Sequence, residues 1–427
     1  MPLSQNQKIF LGVALGIVLI FFLILLGIIP GLRKATVSKA NLEFWGVDDN
    51  SGVWNAAISN FKQLNPNTSI RYRPIDESSY EKELLDALAA GKGPDVFMFK
   101  NTWLTKHGNK IYSSLPEQIN LKTFRDIFPE APETDFVSND QISSVPTSID
   151  TLALFYNKNI FNNKKIALPP TTWDEFKADI LKSIEFKNGK ISKSGAAMGG
   201  SLKSVENATD ILNLIMFQTG TQMTDSTLRY ATFGSPAGES ALNFYTSFSD
   251  PKNKYYTWDD SFSNSIDSFA EGRVAMIFGY YSDAEKIKTK NPFLNFGIAP
   301  VPQFDKSTAL NFPSYWGLAV STKSLSPKIA WDFIAFASTN EESMKSYSSL
   351  TGKSPALRSL INVSLSDINL GVFAGQSLSA KSWREPDDTL VKESLNNAII
   401  GVITKKLSSD QALGKAQSEI TNLMQGK

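Results

Sequence analysis

Aromatic rings and carboxylates recur together where apolar runs of the chain give way to polar ones. Trp45 closes "NLEFWGV" and is followed by Asp48 and Asp49. Phe99 closes "DVFMF", with Trp103 shortly after it, and Asp150 stands in "TSIDTLALFYN". Tyr280 and Tyr281 follow "AMIFG", Trp316 opens "WGLAV", and Trp383 lies just before Glu385. Flat rings stack on apolar C–H faces and carboxylates take paired hydrogen bonds from hydroxyls, so this combination suits a neutral sugar. Plainer roles compete. A tryptophan at a strand end also plugs cores, and Asp48-Asp49 precedes a helix that it could cap. Trp54, Trp173 and Trp331 sit in helices and read as packing residues, and Asp95 reads as a structural residue at a strand start.

Other chemistry finds little support. The chain has no cysteine and one histidine, His107 in "TKHGNK", which reads as a solvated loop. Thiol nucleophiles, disulfides, lipid attachment through a cysteine, and zinc or copper sites are therefore excluded, and no cofactor is expected. "GKGPD" precedes a strand rather than opening a helix, so it is not a phosphate cradle. Tyr280-Tyr281 could supply phenolate ligands to ferric iron, but no histidine accompanies them. Carboxylate pairs for glycoside hydrolysis need only be close in space, and no particular pair stands out. With 43 Lys and Arg against 42 Asp and Glu, no overall field recruits nucleic acid.

Strands and helices alternate to position these groups. "NLEFWGV" reads as a strand, followed by helical spacing at Val53, Ala57, Phe61 and Leu64. "IRYRPI" is a second strand, followed by a helix through Tyr80, Leu84, Leu85 and Leu88, and "DVFMF" is a third strand. This β-α-β-α-β order predicts a parallel sheet whose ligands bind beyond the carboxyl ends of its strands. Later, "PPTTWDEFKADILKSI" carries a capping box at Thr172 and Glu175, "EGRVAMIFGYY", "NFGIAPVPQ" and "YWGLAVS" read as strands, and Ala330, Phe333, Ile334 and Ala337 mark another helix. A body this long exceeds one core, so two lobes are expected.

The N-terminal end is of another kind. From Ile9 to Ile29 there are 21 residues without a charge, about 31 Å as a helix, which is one hydrocarbon core. No convincing signal-cleavage site follows, so an uncleaved single-pass anchor is expected. Arg33 and Lys34 directly after it favour a cytoplasmic body by the positive-inside count, although long trailing domains translocate largely regardless of local charge.

The stretches "LEFWG", "GKGPDVFMF", "SVPTSIDTLALFYNKNIF", "PPTTWDEF", "FAEGRVAMIFGYY", "FGIAPVPQ", "YWGLAVSTKSLSPKIAWDFIAFAS" and "TGKSPAL" together resemble the successive blocks of the family-1 extracellular solute-binding proteins, carbohydrate receptors of ABC importers that include maltose-binding protein. The resemblance implies an α/β, two-lobed periplasmic-binding-protein-like fold of type II with the ligand cleft between the lobes, preceded here by one transmembrane helix. It implies crossings near 146–150, 298–301 and 347–351. The expected division is an anchor and linker at 1–40, a first lobe from 41–147 and 301–347, and a second from 148–300 and 348–427. It places a polar ligand contact at Asp150, a stacking ring at Tyr280 or Tyr281 and a cleft-lining ring at Trp316. The expectation is a monomeric, non-enzymatic receptor on the extracytoplasmic side of the cell membrane, taking a carbohydrate and partnering ABC permease subunits and the membrane, but no nucleic acid. A tethered sugar-active hydrolase and a sensor for a non-sugar solute are the alternatives.

Overall fold

The computed structural model describes residues 40–47 and 50–426. The expected anchor at residues 9–29, together with Asp48 and Asp49, lies outside the described residues, among which no helix is long and apolar enough to cross a membrane.

The first lobe follows the alternation in the sequence. Strands β1 (Ala40–Gly46), β2 (Thr68–Pro74) and β3 (Val96–Lys100) pair in parallel in the order β2-β1-β3, joined by helices Asn55–Leu64 and Glu77–Ala89. Parallel neighbours require the chain to return over a face of the sheet, hence the amphipathic helix after each strand. Asp95 is structural, as expected: its carboxylate accepts from the Glu43 N–H at 3.0 Å and the Ser324 hydroxyl at 2.6 Å. A hairpin of β4 (Val137–Ser138) and β5 (Gln141–Ile142) and a short strand β6 (Val145–Pro146) complete this stretch.

The chain then forms β7 (Asp150–Thr151), β8 (Ala153–Asn157), β9 (Glu185–Lys187), β10 (Lys190–Ala196), β11 (Val274–Gly279) and β12 (Phe296–Ala299), giving a second sheet of order β12-β8-β11-β10-β9. Helix Trp173–Ser183 packs on it and begins with the expected capping box. Thr172 Oγ1 accepts from the Glu175 N–H, and the Glu175 carboxylate accepts from the Thr171 and Thr172 N–H groups, which pushes its pKa down to about 2. Finally β13 (Pro313–Ser314) pairs with β7, and β14 (Trp316–Val320) enters the first sheet between β3 and β6.

Neither sheet is wholly parallel. β14 runs against β3, with Trp316 opposite Lys100 and Val320 opposite Val96, and β8 runs against β11, with Ala153 opposite Gly279. Both odd strands arrive from the junction between the lobes, so they enter at the carboxyl ends of their parallel neighbours. Each lobe therefore offers its partner those carboxyl ends plus the amino end of the reversed strand that comes from the junction, β14 or β8. Gly317 is needed where β14 passes β6, since a Cβ there would lie 2.5 Å from Ser144 Oγ and 2.8 Å from the Val145 carbonyl.

Two cores result. One gathers apolar residues from 42–149 and 315–360, the other from 152–301, Phe312 and 373–420. The chain thus changes lobes at β13 and again after residue 360, later than the resemblance implies. Residues 301–312 fold back on the second lobe, where the Gln303 and Trp173 N–H groups bond the Thr171 and Gln303 carbonyls, and Ala356, Leu357 and Leu360 stay with the first. Trp54, Trp173 and Trp331 are buried packing residues. His107 departs from its expected place in a solvated loop: it is buried against Trp103, with Nε2 2.8 Å from Glu81 Oε1. Burial outweighs that partner and lowers its pKa.

Candidate binding cleft

The lobes face each other across a cleft of about 550 Å³. Its floor is the β7–β13 ribbon, in which two of the crossings lie side by side, Asp150 opposite Ser314 and Thr151 opposite Pro313. A two-stranded ribbon is a short element about which flanking lobes can rotate without breaking either sheet.

Asp150 is held where the reversed strand of the second lobe meets the end of β11. Its carboxylate accepts from its neighbour Thr151 N–H and from the Tyr281 N–H, both at 2.9 Å. Withdrawal from water prevails over these donors and pushes its pKa up to about 7, with Asp283 acting in the same direction and Lys353 against it. Tyr281 opens helix Tyr281–Lys290 and packs on Gly352, the left-handed cap (φ 67°) of helix Glu341–Thr351, where a Cβ would meet the tyrosine hydroxyl at 2.5 Å. The Tyr280 hydroxyl donates to Asp210 Oδ2 at 2.9 Å.

On the first lobe the half-buried Trp316 lines the cleft. It is fixed edge-on by Trp103 at 5.2 Å and Tyr80 at 5.6 Å between centroids. Behind it, buried Asp135 accepts from Tyr315 and Ser382 hydroxyls, each at 2.6 Å, and from the Asn101 amide at 3.1 Å. Burial nonetheless pushes its pKa up to about 7. Ser382 belongs to the C-terminal segment that also brings Arg384 onto the Thr134 and Val137 carbonyls.

That segment leads into helix Asp388–Ile403 of the second core, whose start is bound to the first lobe. Lys100 Nζ lies 3.0 Å and the Thr102 hydroxyl 3.2 Å from Asp388 Oδ2, and Lys106 joins Asp387 at 3.0 Å and Glu81 at 2.8 Å. Burial alone would lower the Lys100 pKa, but Asp388 overrides it and raises it; Lys100 in turn holds Asp388 low.

Of the residues singled out by sequence, Asp150, Tyr280, Tyr281, Trp316 and Glu385 line this cleft. Trp45, Phe99, Trp103 and Trp383 do not. Trp45 is buried with the Arg73 guanidinium 4.6 Å over its ring, Phe99 and Trp103 are core residues of the first lobe, and Trp383 packs in the second core. Trp383 still bears on the cleft indirectly, since its indole N–H donates to Asn213 Oδ1 at 3.1 Å and Asn213 lines the wall. Asp48 and Asp49 are outside the described residues, although Val47 beside them reaches the cleft. Sequence reading missed Lys100, Asp210, Lys353 and Asp388. Lys100 could have been flagged as the charged last residue of an apolar strand, and Asp388 as half of an acidic pair entering a helix; nothing local marks the others.

Comparison with known proteins agrees with this architecture. The family model for bacterial extracellular solute-binding proteins matches residues 47–344. The putative binding protein BAB2_0491 of Brucella abortus is 25% identical over 250 residues, 57% of this chain, and that match spans only 57% of the relative's own length. The galactooligosaccharide-binding protein of Bacillus subtilis is 22% identical over 409 residues, 90% of this chain and 89% of the relative. Among solved structures, the sugar-binding protein MalE of Xanthomonas citri superposes with a TM-score of 0.76 at 18% identity, covering 90% of this chain and 98% of that one, so the two share the maltose-binding-protein-like fold of two α/β lobes. With its reversed strands, paired crossings and interlobe cleft, the chain belongs to the bacterial extracellular solute-binding protein family.

Proposed function

We propose that the chain captures a sugar or oligosaccharide between its lobes and delivers it to an ABC permease, without chemical change to the ligand. The observation that carries this reading is the pairing, across one cleft, of a half-buried, cleft-lining ring fixed edge-on (Trp316) with hydrogen-bonding groups at the hinge and on the facing wall (Asp150, Asp210, Glu385). A saccharide needs both, and the cleft volume falls within the roughly 300–1,000 Å³ usual for small-molecule sites. The sugar-binding descriptions of the B. subtilis and X. citri proteins support the same class of ligand. Contacts from both walls stabilise the closed arrangement, so ligand shifts the population towards it.

The apolar run from Ile9 to Ile29 would anchor this receptor at the cell membrane, with its body on the extracytoplasmic side, replacing the lipid that a cysteine-free chain cannot carry. Tethering would raise its effective concentration at the permease. Protease access to the body in intact cells tests the topology: protection from external protease would contradict it. The binding reading is tested by titrating maltotriose and galactooligosaccharides against tryptophan fluorescence while assaying for product. Saturable binding without turnover is expected, whereas turnover abolished by changing one acidic residue would replace the receptor reading with a hydrolase.

A further inference from the structure

Two carboxyl groups of the segment that enters helix Asp388–Ile403 have oxygens without a hydrogen-bond donor. Glu385 is only 6% exposed and lines the cleft, yet its carboxyl has no hydrogen-bond partner among the described residues. Asp388 spends one oxygen on Lys100 and Thr102, while its Oδ1 is enclosed with no partner. Asp210 accepts a hydrogen bond from the Tyr280 hydroxyl. Among the described residues that line the cleft there are seven acidic side chains and four lysines. Two of those lysines are already committed, Lys100 to Asp388 and Lys286 to Asp283 at 3.0 Å.

A buried carboxyl must either keep its proton or meet a cation. Here burial, with Asp388, Asp210 and Asp135 acting in the same direction and Lys100 against them, holds the Glu385 pKa well above its usual range; Arg384 next to it is turned away onto first-lobe carbonyls. A sugar hydroxyl could donate one hydrogen bond here and would leave the other acceptor unmet. An ammonium brings three donors and the compensating charge.

Resting on the carbohydrate reading above, we propose that the saccharide taken by this cleft carries a protonated amine, an aminodeoxy sugar, whose ammonium binds between Glu385 and the unpartnered oxygen of Asp388. Its ring lies on Trp316. The ammonium arrives already charged and displaces the carboxyl proton of Glu385 to solvent, so binding is accompanied by proton release.

The test is isothermal titration of the detergent-solubilised full chain with matched pairs: glucosamine against glucose, galactosamine against galactose, and the 1,4-linked glucosamine dimer against cellobiose and its N-acetylated counterpart. The amine is expected to bind at least tenfold tighter than its hydroxyl or acetamide partner in at least one pair. Titrations in buffers of different ionisation enthalpy should report release of about one proton. Glu385→Gln, nearly isosteric, should abolish both the preference and the proton release while leaving the circular-dichroism spectrum unchanged. Equal or tighter binding of the neutral partners, or binding with no proton release, overturns the amine proposal and leaves the carbohydrate reading intact. Failure of every amine overturns it too; only failure of maltotriose and galactooligosaccharides as well would tell against the carbohydrate reading.

Discussion

The two walls of the cleft differ in kind. The first lobe presents a rigid aromatic surface, Trp316 braced by Trp103 and Tyr80, whereas the second presents carboxylates, Asp210, Glu385 and Asp388, with Tyr280 oriented by one of them. Ring stacking and polar recognition thus come from different lobes. Neither wall alone meets both needs of a saccharide, and a ligand gains its full set of contacts only when the lobes approach. The division arises from topology: β14 brings its first residue, Trp316, to the end of β3, while the acidic helix start at Asp387-Asp388 is carried by a segment pinned to the first lobe.

The largest effect should separate ring from brace. Trp103→Ala removes a buried side chain from the first core and should cost about 3–5 kcal/mol of stability, read as a lowered urea midpoint. A loss under 1 kcal/mol would show that Trp103 is no part of that core.

Asp135 stands behind the aromatic wall and tests how firmly it is tied down. Its folded pKa, about 7, lies above its ordinary value, so the folded state holds a proton that the unfolded state gives up. Its contribution is complete below about pH 4, declines as pH rises towards 7, and is flat above. Asp135→Asn should reduce the fall of stability with pH by about 1.4 kcal/mol per pH unit between roughly pH 4.5 and 6.5. Denaturation series at several pH values measure this slope, and an unchanged one would refute the assignment.

Trp316→Ala should leave stability closer to wild type than Trp103→Ala but weaken saccharide binding by about 1–3 kcal/mol, as loss of a stacking ring does. Unchanged affinity in a folded variant would remove the aromatic wall from the site. Smallest is Thr102→Val, which deletes one hydrogen bond to Asp388 and should reduce affinity by about 0.5–1.5 kcal/mol by loosening the interlobe contact. Fluorescence titration resolves both.

Much of this was legible where the determinants are local. The alternation through β3, the capping box at Thr172 and the structural role of Asp95 depend on residues near in sequence or on periodicity. Of the five cleft residues named, Tyr280 and Tyr281 follow an apolar strand, Trp316 opens one, the resemblance put Asp150 at a crossover, and Glu385 was noted only for standing beside Trp383. Such placement could not separate Trp103 from Trp316. Both are aromatic residues at a strand end, and they touch; which one faces solvent depends on β14 arriving antiparallel, a pairing between 316–320 and 96–100 that no local pattern records. Lys100 and Asp388 meet across 288 positions, and His107 is buried by packing around Trp103 and Glu81, despite polar neighbours in the chain. The later crossings, which the resemblance puts near 298–301 and 347–351, fall further along because hydrogen bonds with Thr171 and Trp173 return the 301–312 segment to the second lobe, while Ala356, Leu357 and Leu360 pack with the first.

The central claim is that ligand contacts from both walls draw the lobes together. Because the chain has no cysteine, introduced thiols at the exposed positions Glu117 and Lys190, one on each lobe, can be labelled cleanly as a fluorescent donor and acceptor. Energy transfer between them, followed during titration with a saccharide that binds, should change saturably with occupancy, and Trp316→Ala should shift the curve to higher concentration by the same factor as the affinity. Saturable binding with no change in transfer would contradict closure as the mechanism.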